Sequence, residues 1–158
     1  MRLTAIILLC CTLLAAAGCT ASQAVRTDEV KAFEQQIQDA YPSIEAISVK
    51  FTDTTLVFHY LLKGQDDEQA RIFQDSRTFF LSSEVQQKLV KERFVKEHAE
   101  RNFSYPDVEI SFSLTDNNTT DFKYTASYYR SSTDPSLLDE YKTWYYVDRD
   151  GKTVQVDS

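Results

Sequence analysis

Leu56-Val57-Phe58-His59-Tyr60-Leu61-Leu62 is apolar at both parities, with His59 its one interruption. Such a run reads as a β-strand covered on both faces. Just upstream, Ile47-Ser48-Val49-Lys50-Phe51 alternates apolar and polar residues, which makes a strand with one wet face, and Thr52-Asp53-Thr54 turns the chain between the two. A second alternating run, Val108-Glu109-Ile110-Ser111-Phe112-Ser113-Leu114, places Val108, Ile110, Phe112 and Leu114 on one face. Asp116-Asn117-Asn118-Thr119 supplies turn chemistry after it, and Phe122, Tyr124, Ala126 and Tyr128 continue as a partner strand. Ser131 to Pro135 forms a longer loop. Tyr141–Val147 and Lys152–Val156 then make a final hairpin around Asp148-Arg149-Asp150-Gly151.

Helical periodicity fills the spaces between these strands. Thr27 is placed to cap a helix, with Asp28 and Glu29 in its first turn opposing the helix dipole. Val30, Phe33, Ile37 and Tyr41 follow at helical spacing until Pro42 stops it. After Gly64, Asp66 with Gln69 resembles a capping box, and Ala70, Phe73, Phe80 and Leu81 form a buried stripe. Ser83 with Gln86 restarts a further helix. On it Glu84, Glu92 and Glu97 each stand four residues ahead of Lys88, Lys96 and Arg101, the favoured orientation for exposed ion pairs. The order is helix, two strands, two helices, four strands. It predicts a single α+β domain over residues 27–158, with three helices against an antiparallel sheet of about six strands. Cystatin-like and NTF2-like folds are similar in part of this order, which alone is a weak analogy.

The 158 residues carry 17 Lys+Arg against 24 Asp+Glu, and 42% are hydrophobic, an ordinary globular composition rather than a disordered one. A net charge of −7 without a basic cluster argues against nucleic acid as a partner.

All three cysteines, Cys10, Cys11 and Cys19, fall within the first nineteen residues. Met1-Arg2 precedes an apolar run from Leu3 to Ala17, the layout of an export signal. As a helix that run would span roughly 22 Å, short of the ~30 Å hydrocarbon core that a membrane anchor must cross. It ends Leu14-Ala15-Ala16-Ala17-Gly18-Cys19-Thr20, which resembles the lipobox of bacterial lipoproteins. The resemblance implies a diacylglycerol on the Cys19 sulfur and cleavage between Gly18 and Cys19. Ala17 fits the pattern, whereas Ala16 stands where Leu is usual.

Residues 1–18 are then a signal peptide and residues 19–26 a lipidated tether of small and polar residues. The expected location is the extracytoplasmic side of a bacterial membrane, either the outer face of the plasma membrane or an outer membrane. Two acyl chains anchor stably where one binds only marginally. Loss of Arg2 leaves a mature chain one unit more acidic, so lipid rather than charge must hold it. With no cysteine after Cys19, the fold relies on its core.

Conventional chemistry is sparse. His59 stands between Val57 and Leu61, most simply as a core histidine bonded to a hydroxyl or the backbone. His98 has no second histidine or carboxylate at metal-binding helical spacing, so no metal and no cofactor are expected. Beyond Cys19 only Gly64 and Gly151 remain, which excludes a Gly-rich phosphate loop and a nucleophile elbow.

One concentration stands out: Tyr124, Tyr128, Tyr129, Tyr141, Tyr145 and Tyr146 gather around Trp144. Alternation puts Tyr141 and Tyr145 on one face and Lys142, Trp144 and Tyr146 on the other. Tyr129, Lys142, Trp144 and Tyr146 are the candidate platform for a glycan, a peptide or an envelope protein. The alternative is that a helix or a chain terminus covers that face. Function then divides two ways. The favoured expectation is a non-catalytic, membrane-anchored binding module. The other is a small cone-shaped NTF2-like enzyme or ligand-pocket protein using His59, with Asp53 as its acid.

Overall fold

The structure, a computed structural model, describes residues 22–64, 68–114 and 120–156. Gly18, Cys19, the capping residue Asp66 and the turn Asp116–Thr119 lie outside the described residues. Strand β1 is Ser22–Ala24, helix α1 Asp28–Ala40, β2 Ile44–Thr52, β3 Thr55–Leu62 and α2 Gln69–Leu81. Helix α3 opens as Ser83–Val85 and continues as a π-helix over Gln86–Val95; β4 Asp107–Ser113, β5 Phe122–Ala126, β6 Trp144–Val147 and β7 Thr153–Val156 complete the chain.

The mixed α and β content follows expectation, but the sheet differs in two respects. It has seven strands in sequence order, β1 to β7. The additional strand comes from the tether: Ser22 pairs with Thr52 and Ala24 with Lys50, and the Val25 side chain is buried in the core. The folded unit thus takes in Ser22–Val25, upstream of the Thr27 cap. The sheet is also mixed rather than antiparallel, because β3 and β4 run parallel, Thr55 opposite Asp107 and Leu61 opposite Ser113. Parallel neighbours require a long crossover. Helices α2 and α3 supply it.

The helices pack on one face. Thr27 caps α1 through its Oγ1, which accepts from the Val30 N–H at 3.3 Å. Val30, Phe33 and Ile37 point inward as the periodicity requires, with Phe33 stacked on Phe79 of α2 and edge-on to Phe58 of β3. From α2, Phe73 stacks on Tyr124 of β5 at 3.9 Å and meets Trp144 of β6 edge-on. The buried Ser76 hydroxyl donates to the Ile72 carbonyl at 2.6 Å and lies 2.7 Å from the Tyr60 hydroxyl. Phe94 of the π-helix packs on Phe51 of β2.

Helices therefore cover the row Leu56, Phe58, Tyr60 and Leu62. On the opposite row Val57 is buried but His59 and Leu61 are only half-buried, so the strand is not covered on both faces as its sequence suggests. Of the expected ion pairs, Glu84 and Lys88 meet at 2.8 Å, and Lys88 also reaches Glu29 on α1. That bond holds the Glu29 carboxyl down at about 2. Glu92 accepts from Gln87, five residues earlier, in keeping with the wider π turn. Arg101 lies past the helix, where its N–H closes a turn on the His98 carbonyl.

Candidate functional site

Between β5 and β6 the chain makes an excursion, residues 127–143, that folds back against the end of the sheet. The N–H groups of Asp139 and Glu140 both donate to the Tyr128 carbonyl, at 2.8 and 2.9 Å, and the Tyr141 N–H donates to Ser127. A bridge joins Tyr129 to Leu138. These bonds hold two successive non-glycine residues, Glu140 (φ 57°) and Tyr141 (φ 60°), in the left-handed region. Each such residue costs of order 1–2 kcal/mol and persists only where its surroundings over-determine it.

Four further hydrogen bonds do so. The Tyr141 hydroxyl donates to the Pro106 carbonyl at 2.8 Å, and the indole N–H of Trp144 donates to the Tyr141 carbonyl at 3.0 Å. The buried Asp139 carboxylate accepts from both the N–H and the hydroxyl of Thr143, each at 2.8 Å.

Against this braced loop lie two adjoining open hollows of about 390 and 310 Å³, which share Ser127, Tyr129 and Arg130. Asp139, Thr143, Tyr145 and Gln155 complete the first; Thr54, Phe103, Tyr105, Asp107, Ser131 and Ser132 complete the second. Arg130 is largely exposed, with its Nε 3.7 Å from Asp139 Oδ1. Tyr129 is fixed between them: its hydroxyl accepts from the Ser104 N–H at 3.1 Å and its ring meets Phe103 edge-on. Behind it Tyr105 stacks on Tyr128 at 3.7 Å.

Burial, then the neighbouring Tyr105, pushes the Tyr128 phenol up to about 12, and burial pushes Tyr141 up as well. Both phenols stay protonated at neutral pH, and that of Tyr141 serves as a donor. A guanidinium beside an amide, a hydroxyl and an exposed ring, in hollows of ligand size, suits a partner that offers carboxylate or hydroxyl groups on a flat face.

The sequence-predicted platform is only partly assembled there. Tyr129 lines both hollows. Lys142 is exposed and pairs with Glu140 at 2.6 Å. Trp144, however, is only 1% exposed, beneath Phe73 with the Arg77 guanidinium over its ring, and Tyr146 packs on Tyr124 and Phe122 on the same helix-covered face. Trp144 belongs to the core, and Tyr146 lies half-buried beside it. The exposed aromatic is Tyr145, at 40%, on the opposite face. Sequence alone does not point to Arg130 or Asp139. An acid four residues ahead of Thr143 is their one local signal.

His59 sits on the face without helices. Its Nδ1 lies 3.1 Å from the Ser111 hydroxyl and its Nε2 3.5 Å from that of Ser113, both on β4. Burial, with Lys50 assisting, lowers its pKa, while Glu109 acts against this. Asp53 occupies the exposed β2–β3 turn at φ 53°. The two ring nitrogens are thus matched to serine hydroxyls rather than to a carboxylate. His98 stacks on Phe94 and bonds to its carbonyl at 2.9 Å.

Among the described residues no three His, Cys, Asp or Glu side chains cluster as metal ligands, and no helix is long and apolar enough to cross a membrane. No family model, curated protein or solved structure matches the chain.

Proposed function

We propose that the chain is a bacterial lipoprotein, cut after Gly18 and held by lipid on Cys19 to the extracytoplasmic side of a membrane. Its folded part binds a partner rather than catalysing a reaction. The lipobox resemblance supports the anchor. The observation that carries the binding reading is the pair of hollows sharing Tyr129 and Arg130, built on a loop whose strained backbone is braced from every side. Strain of this kind collects at binding sites because it fixes side chains in advance of the ligand. The partner is an envelope protein segment, a peptide or a glycan that presents carboxylate or hydroxyl groups to Arg130 and Tyr145.

Site-specific photocrosslinking in the native envelope tests this. A crosslinker replacing Tyr145 should give adducts of discrete mass that Arg130→Glu abolishes. Adducts unaffected by Arg130→Glu would refute the site. Retention of Cys19→Ser protein in the membrane fraction, with an intact mass showing no lipid on the native chain, would refute the anchor.

A further inference from the structure

Which end of the sheet faces the membrane follows from strand register, given the lipid on Cys19 proposed above. Only Thr20 and Ala21 separate Cys19 from β1, so the lipidated sulfur's backbone lies within about 11 Å of Ser22. Ser22 stands opposite Thr52, at the β2–β3 turn. Through the parallel pairing of Thr55 with Asp107 and the antiparallel pairing of Val108 with Ala126, that same end receives the start of β4 and the close of β5. The excursion 127–143 leaves from Ala126 and returns at Trp144, its register partner, so it too lies at this end.

The excursion carries two adjacent exposed leucines, Leu137 at 49% and Leu138 at 43%. The turn at the opposite end of β6 and β7 is instead Asp148, Arg149, Asp150 and Lys152. Four strand spacings of about 4.8 Å separate β1 from β5, so Ser22 and the strand from which the excursion leaves are about 20 Å apart across one end of the sheet.

We propose that the domain stands on the bilayer on this end, strands pointing at the surface, with Leu137 and Leu138 seated in the lipid interface opposite the Cys19 anchor. Two apolar contacts separated along the sheet's end fix the domain's tilt as one alone would not. Arg130 and Tyr129, beside the leucines, then sit at the depth of the headgroups, where aromatic rings and basic side chains are favoured. The acidic chain gives this contact little strength of its own, and the tether supplies the effective concentration that populates it. The hollows consequently open onto the membrane-proximal layer, and the partner is met there.

The test uses the full lipoprotein, purified with its lipid and reconstituted in vesicles of phosphatidylethanolamine with some phosphatidylglycerol. Intact mass is checked first. Leu137→Cys, or Asp150→Cys as control, provides the free thiol for an environment-sensitive dye, since the Cys19 sulfur is occupied. Dye at position 137 should shift to the blue and be quenched severalfold more by nitroxide-bearing lipid than dye at 150. Adding Leu138→Asp should weaken the contact about tenfold and reverse the quenching. Weak and equal quenching at both positions, or quenching at 137 that Leu138→Asp leaves unchanged, in protein whose mass shows the lipid, overturns the orientation and leaves the anchor standing. A mass without lipid overturns the anchor itself, and the orientation with it.

Discussion

Replacing Asp139 by alanine removes the carboxylate that accepts from the N–H and the hydroxyl of Thr143. Asp139 is buried, so both bonds are charge-assisted in a partly dry setting. Bonds of that type are worth about 1.5–3 kcal/mol each, reduced here because Thr143 is partly exposed and can turn to water. The ion pair with the exposed Arg130 adds about 0.5 kcal/mol at most. Release of the left-handed residues Glu140 and Tyr141 returns part of the loss. A net cost of about 3 kcal/mol follows, which at a urea m-value near 2 kcal/mol/M lowers the midpoint by about 1.5 M.

Trp144 is the chain's single tryptophan, and its indole bonds to the Tyr141 carbonyl, so its emission reports on the loop directly. Emission should move to the red in Asp139→Ala, while Asp139→Asn, keeping one acceptor oxygen, should fall between. A midpoint change under about 0.3 M with unaltered emission would refute the idea that this carboxylate holds the loop.

Three other expectations concern the core and the face without helices. Ser76→Ala strands the buried Tyr60 hydroxyl and should cost about 2 kcal/mol, whereas Tyr60→Phe should cost about 1. The double variant should cost less than the sum, and strict additivity in a denaturation cycle would show the two hydroxyls uncoupled. His59 has a pKa below the ordinary 6.5, so the unfolded chain takes up its proton first. Its contribution to stability is complete above about 6.5, declines as pH falls below that, and levels off beneath the folded value. His59→Gln should flatten that slope, and identical slopes in both proteins would refute the assignment. Val25→Ala should cost about 2 kcal/mol by loosening the edge of the sheet. Unchanged hydrogen-exchange protection of the Val25 amide, which bonds to the Val49 carbonyl, would contradict this.

Local chemistry made much of this fold legible. The Thr27 cap, the Val30–Phe33–Ile37 stripe and the Pro42 stop are short-range signals, and α1 follows them. Pairing direction is not local: the two-helix crossover between Leu62 and Asp107 permits β4 to lie parallel to β3 without requiring it. Ser22-Gln23-Ala24 has no alternation of its own and becomes a strand because Lys50–Thr52 offers an open edge and Val25 a place in the core. For Trp144 the alternation gave the correct parity but not the side, since parity does not say where α2 will lie. The hollows depend on left-handed backbone at Glu140 and Tyr141, where no glycine or asparagine announces it.

The borders of the sheet bear on the membrane anchoring proposed above. β1 covers only the last residues of β2, and the uncovered stretch is interrupted by the irregularity between Ile44 and Ala46. At the other margin β7 is four residues long. Short or kinked margins offer little template for a neighbouring copy to add its own strand. Molecules crowded in two dimensions collide side by side far more often than molecules in free solution, and a long flat margin would stitch them into ribbons. Were the chain anchored as proposed, its truncated margins would let copies be packed densely and remain separate.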